Sequence, residues 1–547
     1  MAIAGVQKLK YTILLGIVAM ASIEVGAQNQ YWITFTDKGF YSHPIHFESY
    51  VSPQVLARRQ FFDIPLDETD LPLYPEYTAA ITNAGGNLLK RSKWLNGMVV
   101  SSANPSFFEQ TAQMDFVKEI VWLKSDKQIV RAKYNLQELA VAGEVNSSYG
   151  YSEVQMNMLN GAFLHDLGLK GQTIDIGVMD NGFRRVNTSS YFDHLNQQSK
   201  IIGVYNYVEN TNNVFTDGDH GSYVMSTLAA FKPDTLIGTA PEGNYYLFTT
   251  EDNNNEGIAE EINWALAAEW ADSALGIWTV LSTSLGYSTG FNDPNTNYTY
   301  ADMDGNTTII TQAADLAARK GLLVVNSAGN EGDDAWKFIT APADGDSVLA
   351  VGAVDEAWEP AFFTSYGPST DGRLKPNVSA LGRRVVAAKY DETLQFINGT
   401  SFSCPIIAGL TACLWQAFPQ SSNMEIIRAI EQSAHIYHNP DDQMGYGIPN
   451  FKLAFDILSL NDEIKENGGI SLFPNPVSDL LTLTFVEESK EPYQVTISDM
   501  SGRVWLETET ISTSTVATIK VSDLPPGVYQ VYLQQGKDKF RNKFIKR

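Results

Sequence analysis

Asp180, His220 and Ser401 are the residues of this chain whose types and settings could do chemistry together. They sit in three short segments: Val178-Met179-Asp180-Asn181-Gly182, His220-Gly221-Ser222 and Gly399-Thr400-Ser401-Phe402-Ser403-Cys404-Pro405. A serine hydroxyl becomes a good nucleophile only when a base takes its proton, and imidazole is the side chain best matched to that task near neutral pH. The imidazole in turn needs a buried carboxylate to fix its tautomer and stabilise its cation. Asp180 follows an apolar run and precedes Asn-Gly, which suits that role. Asp217 and Asp219 are rivals, but an acid so close to the histidine in a loop is expected to be solvated. A fourth segment, Ser327-Ala328-Gly329-Asn330-Glu331-Gly332, supplies the Asn330 amide, which could donate to a tetrahedral oxyanion beside the Ser401 backbone N–H. Ser284-Leu285-Gly286 and Ser327-Ala328-Gly329 read as two extended edges able to pair with a substrate backbone.

Each segment has an ordinary explanation. Ser401 before Pro405 is what a helix cap looks like, and Asn330 on a glycine turn is a common turn residue. Four of them in one chain, each at the end of a strand or the start of a helix, make a far stronger signal than any one. The elements that must position them alternate short β-branched runs with helical patterns. Strands are expected at Thr173 to Met179, Ile277 to Ser282, Leu322 to Asn326 and Val348 to Gly352. Helices are expected at Gly257 to Ala271, Thr307 to Arg319 and Pro405 to Phe418. Such alternation implies a parallel α/β sheet with helices on both faces, and sites in such sheets gather at the carboxyl ends of the strands. His220 is expected at the start of an amphipathic helix, held yet exposed, and Ser401 just before a helix that begins at Pro405.

The flanks read differently. Lys8 and Lys10, the apolar run from Tyr11 to Ile23 and the small residues Val25-Gly26-Ala27 form a signal peptide over residues 1–27. Residues 28–125 mix strand and helix: Tyr31 to Phe35 and Lys93 to Val100 as strands, and Pro53 to Arg59, Pro75 to Ala84 and Pro105 to Gln113 as helices. Residues 126–150 read as a linker open to cleavage, 151–460 as the α/β domain and 461–469 as a second linker. From 470 to 547 a period-two pattern (Leu481, Leu483, Phe485, then Tyr493, Val495, Ile497) implies a small β-sandwich. The six Lys or Arg among the last eleven residues read by themselves as a solvated tail.

Composition narrows the classes. Hydrophobic residues make up 44% and charged residues 18%, so large cores are expected. A formal net charge of −25 argues against nucleic acid as a partner. Cys404 and Cys413 are the only cysteines, nine residues apart in one expected helix. At about 13–14 Å along the axis they cannot pair. They read as small buried hydrophobes, against a cysteine nucleophile. Asp302-Met303-Asp304-Gly305-Asn306 resembles the start of a calcium loop but lacks its later glutamate, so it reads as an acidic turn. Structural calcium remains open, and no cofactor is expected for catalysis.

Taken together, Asp180 in its V-x-D-x-G setting, His220-Gly221, Ser284-Leu285-Gly286, Ala328-Gly329-Asn330-Glu331-Gly332 and Gly399-Thr400-Ser401 resemble the subtilisin-like serine proteases. Val351-Gly352-Ala353-Val354 and Phe363-Thr364-Ser365-Tyr366-Gly367-Pro368 add to the likeness. The resemblance implies a seven-stranded parallel sheet, endopeptidase activity on protein or peptide substrates, Asn330 as the oxyanion donor, and an inhibitory propeptide in residues 28–125. The sequence departs from the family at Ser222-Tyr223, where a second histidine is common, and at Ser403-Cys404-Pro405-Ile406 in place of Ala-Thr-Pro-His. Phe473-Pro474-Asn475-Pro476, Leu524-Pro525-Pro526-Gly527-Val528-Tyr529 and Lys543-Phe544-Ile545-Lys546-Arg547 resemble the sorting domain of the type IX secretion pathway. That implies passage through the periplasm and outer membrane to a secreted or cell-surface monomer, with the secretion machinery as a partner. Two other classes stand beside this reading: an inactive binding protein on the same scaffold, and a lipase or esterase, which would want a G-x-S-x-G elbow that Ser401 lacks.

Overall fold

The computed structural model describes residues 29–41, 45–124, 139–140, 147–466, 470–485, 492–499, 502–510, 516–535 and 538–547. The signal peptide and most of the 126–150 linker lie outside them. The centre is a seven-stranded sheet, parallel throughout. Its spatial order is Val378–Leu381, Leu349–Val354, Leu323–Ser327, Thr279–Thr283, Asp175–Asp180, Asn244–Thr249 and Ile201–Asn206. Every residue of Thr279–Thr283, Leu323–Ser327 and Leu349–Val354 is buried, because both faces are covered. The pleat sends alternate side chains to two separate cores. Val178, Val280, Leu323 and Val325 enter one, while Met179, Leu281, Leu322 and Val324 enter the other.

The first core holds the helices that carry His220 and Ser401, Asp219–Ala229 and Thr400–Ala417. The second is capped by Ile258–Ala274 and Ile309–Arg319. Two details differ from the sequence reading. The Ser401 helix starts five residues before Pro405, so Ser401 lies inside its first turn and Pro405 inside the helix. The His220 helix is not amphipathic in use: all residues from His220 to Ala229 are buried, since it packs beneath the Ser401 helix against the sheet. Cys404 and Cys413 are buried and unpaired, as the sequence implies, and burial pushes the Cys404 thiol up to about 12.

The N-terminal domain is an antiparallel sheet in the order Asn87–Ser92, Gly97–Ser102, Asn29–Phe35, Val117–Lys124. Trp32 and Val99 project from it onto Ile262 of the Ile258–Ala274 helix, with Leu266 and Ile309 packed alongside. Its first helix, Pro53–Phe61, brings a buried ionic contact. The Arg58 guanidinium meets Asp272 Oδ1 at 2.7 Å, both side chains 0% exposed, and also donates to the carbonyls of Asp272 and Leu275 at 3.0 Å. Those carbonyls close the end of the Ile258–Ala274 helix, where acceptors have no helical partner. Arg59 reaches both Asp272 carboxylate oxygens at 3.0 Å, and Lys320 reaches back to Asp70 at 2.7 Å. Glu269 accepts from Ser92 Oγ and the Lys93 and Trp94 N–H groups, gripping the turn that leads into Gly97–Ser102.

At the other end, residues 461–466 continue the helix Phe451–Glu466, where composition reads as a linker. Two sheets follow. One contains Ile470–Phe473, Leu480–Phe485 and Val516–Lys520, the other Val504–Thr510, Tyr493–Asp499, Gly527–Gln535 and Asp538–Lys546. Leu481, Leu483, Val495, Ile497 and Val531 fill the space between. The basic end is no tail: Asp538–Lys546 pairs along the whole of Gly527–Gln535 and buries Phe544. Arg541 and Lys543 are exposed just before the buried Phe544, while at the end of the strand Lys546 is buried and Ile545 exposed.

Candidate active site

Asp180 ends the strand Asp175–Asp180 and is 1% exposed. Its carboxylate receives His220 Nδ1 at 2.8 Å and 3.0 Å on its two oxygens, and the Asn181 N–H at 2.7 Å. The carboxylate can only accept, so Nδ1 carries the proton and Nε2 is the basic nitrogen. The approach depends on glycine. A Cβ at Gly221 would lie 2.0 Å from the Gly182 carbonyl oxygen, and one at Gly218, where φ is +85°, 2.4 Å from Gly182 Cα. The Asn-Gly after Asp180 and the glycine after His220 are therefore what lets the two loops touch. His220 is 2% exposed, more enclosed than the sequence implies. Its ring lies 5.6 Å from that of Phe402, the neighbour of Ser401.

Ser401 is fixed by an exchange with Ser284. Pro405 has no N–H, so the Ser401 carbonyl four residues earlier loses its helical partner. Ser284 Oγ donates to that carbonyl at 2.8 Å, while Ser401 Oγ lies 3.4 Å from the Ser284 carbonyl oxygen. A long, weak bond of that kind holds the Ser401 hydroxyl loosely. The Ser401 N–H belongs to a helical first turn and has no partner within the helix.

Asn330 is held from the same turn. Thr400 donates its N–H at 2.8 Å and its Oγ1 stands 3.0 Å from Asn330 Oδ1. The amide oxygen is thus committed to Thr400, which turns Nδ2 to the other side, and the residue is exposed. Asp180, His220, Ser401, Asn330 and the edges 284–286 and 327–329 all meet at the carboxyl end of the sheet. Both edges have carbonyls that are already occupied. The carbonyls of Ser327, Ala328 and Gly329 accept from Asn326, Thr340 and Ser365 respectively, so this stretch is a wall more than a pairing strand. The Leu285 carbonyl is also taken, by Asn326 and Ser327.

Sequence reasoning missed Thr400, Ser365 and Glu331. Only the tertiary fold reveals that Ser365 Oγ donates to Glu331 Oε2 at 2.8 Å and receives the Glu331 N–H at 3.0 Å. Burial raises the Glu331 carboxyl to about 7. In the Asp302–Asn306 stretch Asp304 accepts from the Asn306 N–H and from the N–H and Oγ1 of Thr307.

Residues 171–447, half of the chain, match the subtilase family; residues 30–138 match the Bacteroidota peptidase S8 propeptide domain, and 471–547 a secretion system C-terminal sorting domain. Subtilisin NAT of Bacillus subtilis subsp. natto is 26% identical over 378 residues, spanning 68% of this chain and 84% of that protein. The thermophilic serine proteinase of Bacillus sp. (strain AK1) is 30% identical over 282 residues, 51% of this chain and 60% of its own. Among solved structures, MycP1 from the ESX-1 type VII secretion system superposes with a TM-score of 0.45 at 18% identity, covering 61% of this chain and 94% of its own. The chain belongs to the subtilase family: it is a subtilisin-like serine endopeptidase that carries an S8 propeptide domain and a C-terminal secretion sorting domain.

Proposed function

We propose that Ser401 attacks the scissile carbonyl of a protein substrate, with His220 Nε2 taking the hydroxyl proton and returning it to the leaving amine. Asp180 holds the imidazole in the needed tautomer and stabilises its cation. The oxyanion is received by the Ser401 N–H and Asn330 Nδ2. Collapse leaves an acyl-enzyme on Ser401, which water hydrolyses by the same proton path in reverse. All these steps use groups of this chain and require no cofactor; any calcium would be structural. The observation that carries the reading is the Asp180–His220 contact, 2.8 Å long and closed to solvent.

The chain is made as an inhibited precursor with residues 28–125 as the propeptide, cut within 126–150. It is exported through the periplasm by the signal peptide and across the outer membrane by the type IX machinery reading residues 470–547. The test is casein hydrolysis by purified wild type beside Ser401→Ala, with mass spectrometry of both chains. Activity and propeptide loss in the wild type alone supports the reading. Equal activity in both removes Ser401 from it. A wild type that stays silent after the N-terminal domain is cut away by another protease favours an inactive scaffold.

A further inference from the structure

The residue that supplies the attacked carbonyl must place its side chain between the 284–286 and 327–329 edges, because these flank Ser401 and Asn330. A strap closes the gap between them. Thr340 N donates to the Ala328 carbonyl at 3.1 Å, and Ala341 exchanges hydrogen bonds with Tyr287 at 2.9 Å and 3.0 Å. Tied to both edges, the strap cannot drop away to deepen the slot. Its middle residue fills the floor. Thr340 is fully buried, and its Oγ1 has no hydrogen-bond partner among the described residues. That hydroxyl lies so close beneath both edges that a Cβ on Gly286 would stand 2.0 Å from it, and one on Gly329 3.0 Å. The Gly329 side is crowded further, with Glu331 Oε2 and Ser365 Oγ at 2.5 Å and 2.6 Å from the same point. The floor is therefore shallow and polar, unlike a well for an aromatic ring.

We propose that Thr340 sets the substrate preference of this protease, restricting the residue on the acyl side of the scissile bond to short side chains such as Gly, Ala and Ser. This rests on Ser401 being the nucleophile, as proposed above. The side chain of Thr340 stands where the distal atoms of a longer residue would go. Phe, Tyr and Leu are excluded by overlap, since a strap bonded on both sides has little room to yield.

The full chain, allowed to process itself, is incubated with a denatured proteome digest, and cleavage sites are read by mass spectrometry. Wild type, Thr340→Gly and Thr340→Val are compared, beside labelling of the serine with a fluorophosphonate in wild type and Ser401→Ala. Misfit by even one methylene changes selectivity by about ten-fold or more. Cuts after Gly, Ala and Ser should exceed those after Phe, Tyr and Leu by at least about ten-fold per occurrence in wild type. Thr340→Val, which keeps the shape, should retain that preference, and Thr340→Gly should release it. A labelled wild type that cuts mainly after large residues overturns the proposal and leaves the catalytic reading standing. So does a Thr340→Val enzyme that loses the preference. If wild type is neither labelled nor active, the catalytic reading fails and takes this proposal with it.

Discussion

Two buried aspartates in this molecule, Asp180 and Asp272, are equally hidden and have opposite fates. Asp180 is 1% exposed and meets one imidazole from the same domain, through a loop contact that glycines make possible. Asp272 is 0% exposed and meets two guanidinium groups that belong to the N-terminal domain. A buried ion pair adds little net stability, yet removing one partner leaves a charge stranded at several kcal/mol. The first pair is a permanent fixture, and in the proposed mechanism its worth lies in catalysis. The second exists only while the N-terminal domain is docked, so it makes docking all-or-none: if that domain leaves, Asp272 and the end of the Ile258–Ala274 helix must be rehydrated.

The comparison is broken most severely at the catalytic pair. Asp180→Asn should lower kcat by about 10⁴ with the fold unchanged by circular dichroism, because the imidazole is held in the wrong tautomer. The docking pair should respond in binding instead. In a Ser401→Ala background, which prevents self-cleavage, changing Arg58→Ala together with Arg59→Ala strands Asp272 and is expected to cost about 3–5 kcal/mol of docking. Hydrogen exchange across Pro53–Phe61 should then speed up by about 10²-fold or more. Unchanged exchange would mean that the remaining contacts, the Lys320–Asp70 pair, the Glu269 hydrogen bonds and the packing of Trp32 and Val99, hold the domain without the Asp272 pair. Asn330→Ala should lower kcat by about 10²–10³ with little change in KM, since its amide bonds the oxyanion only.

A third buried carboxylate sharpens the contrast. Glu261 is fully buried and accepts from Tyr298 and the Ile310 N–H, with no cation beside it among the described residues. Burial raises it to about 8. Because the folded value lies above the ordinary 4.5, its contribution to stability is complete below that value and is lost as pH rises through about 8. Melting of the wild type should therefore fall faster between pH 6 and pH 9 than melting of Glu261→Gln. Parallel curves would show that Glu261 stays ionised across the range.

Much of the site was legible because its residues sit where strands end and helices begin. Asp180 closes an apolar strand, and Gly399-Thr400-Ser401 opens a helix; composition and turn chemistry mark such boundaries locally. The start of that helix was misplaced at Pro405 because proline favours the first turn, whereas here its missing N–H frees a carbonyl for Ser284, 117 residues away in sequence. The basic C-terminus was misread for a similar reason. Nothing local distinguishes a charged tail from an edge strand until a partner strand is found for it.

By itself, then, the sequence determined which groups could act and which layer architecture would carry them, since both follow from residue type, period and turn chemistry over a few positions. Only the tertiary structure decided that Thr340 lies beneath Gly286 and Gly329, which carbonyls are already occupied, and that Arg58 ends in the socket of Asp272. Those outcomes depend on distances between segments far apart in the chain. No local pattern encodes such distances, because they are set by how the two cores pack around one sheet.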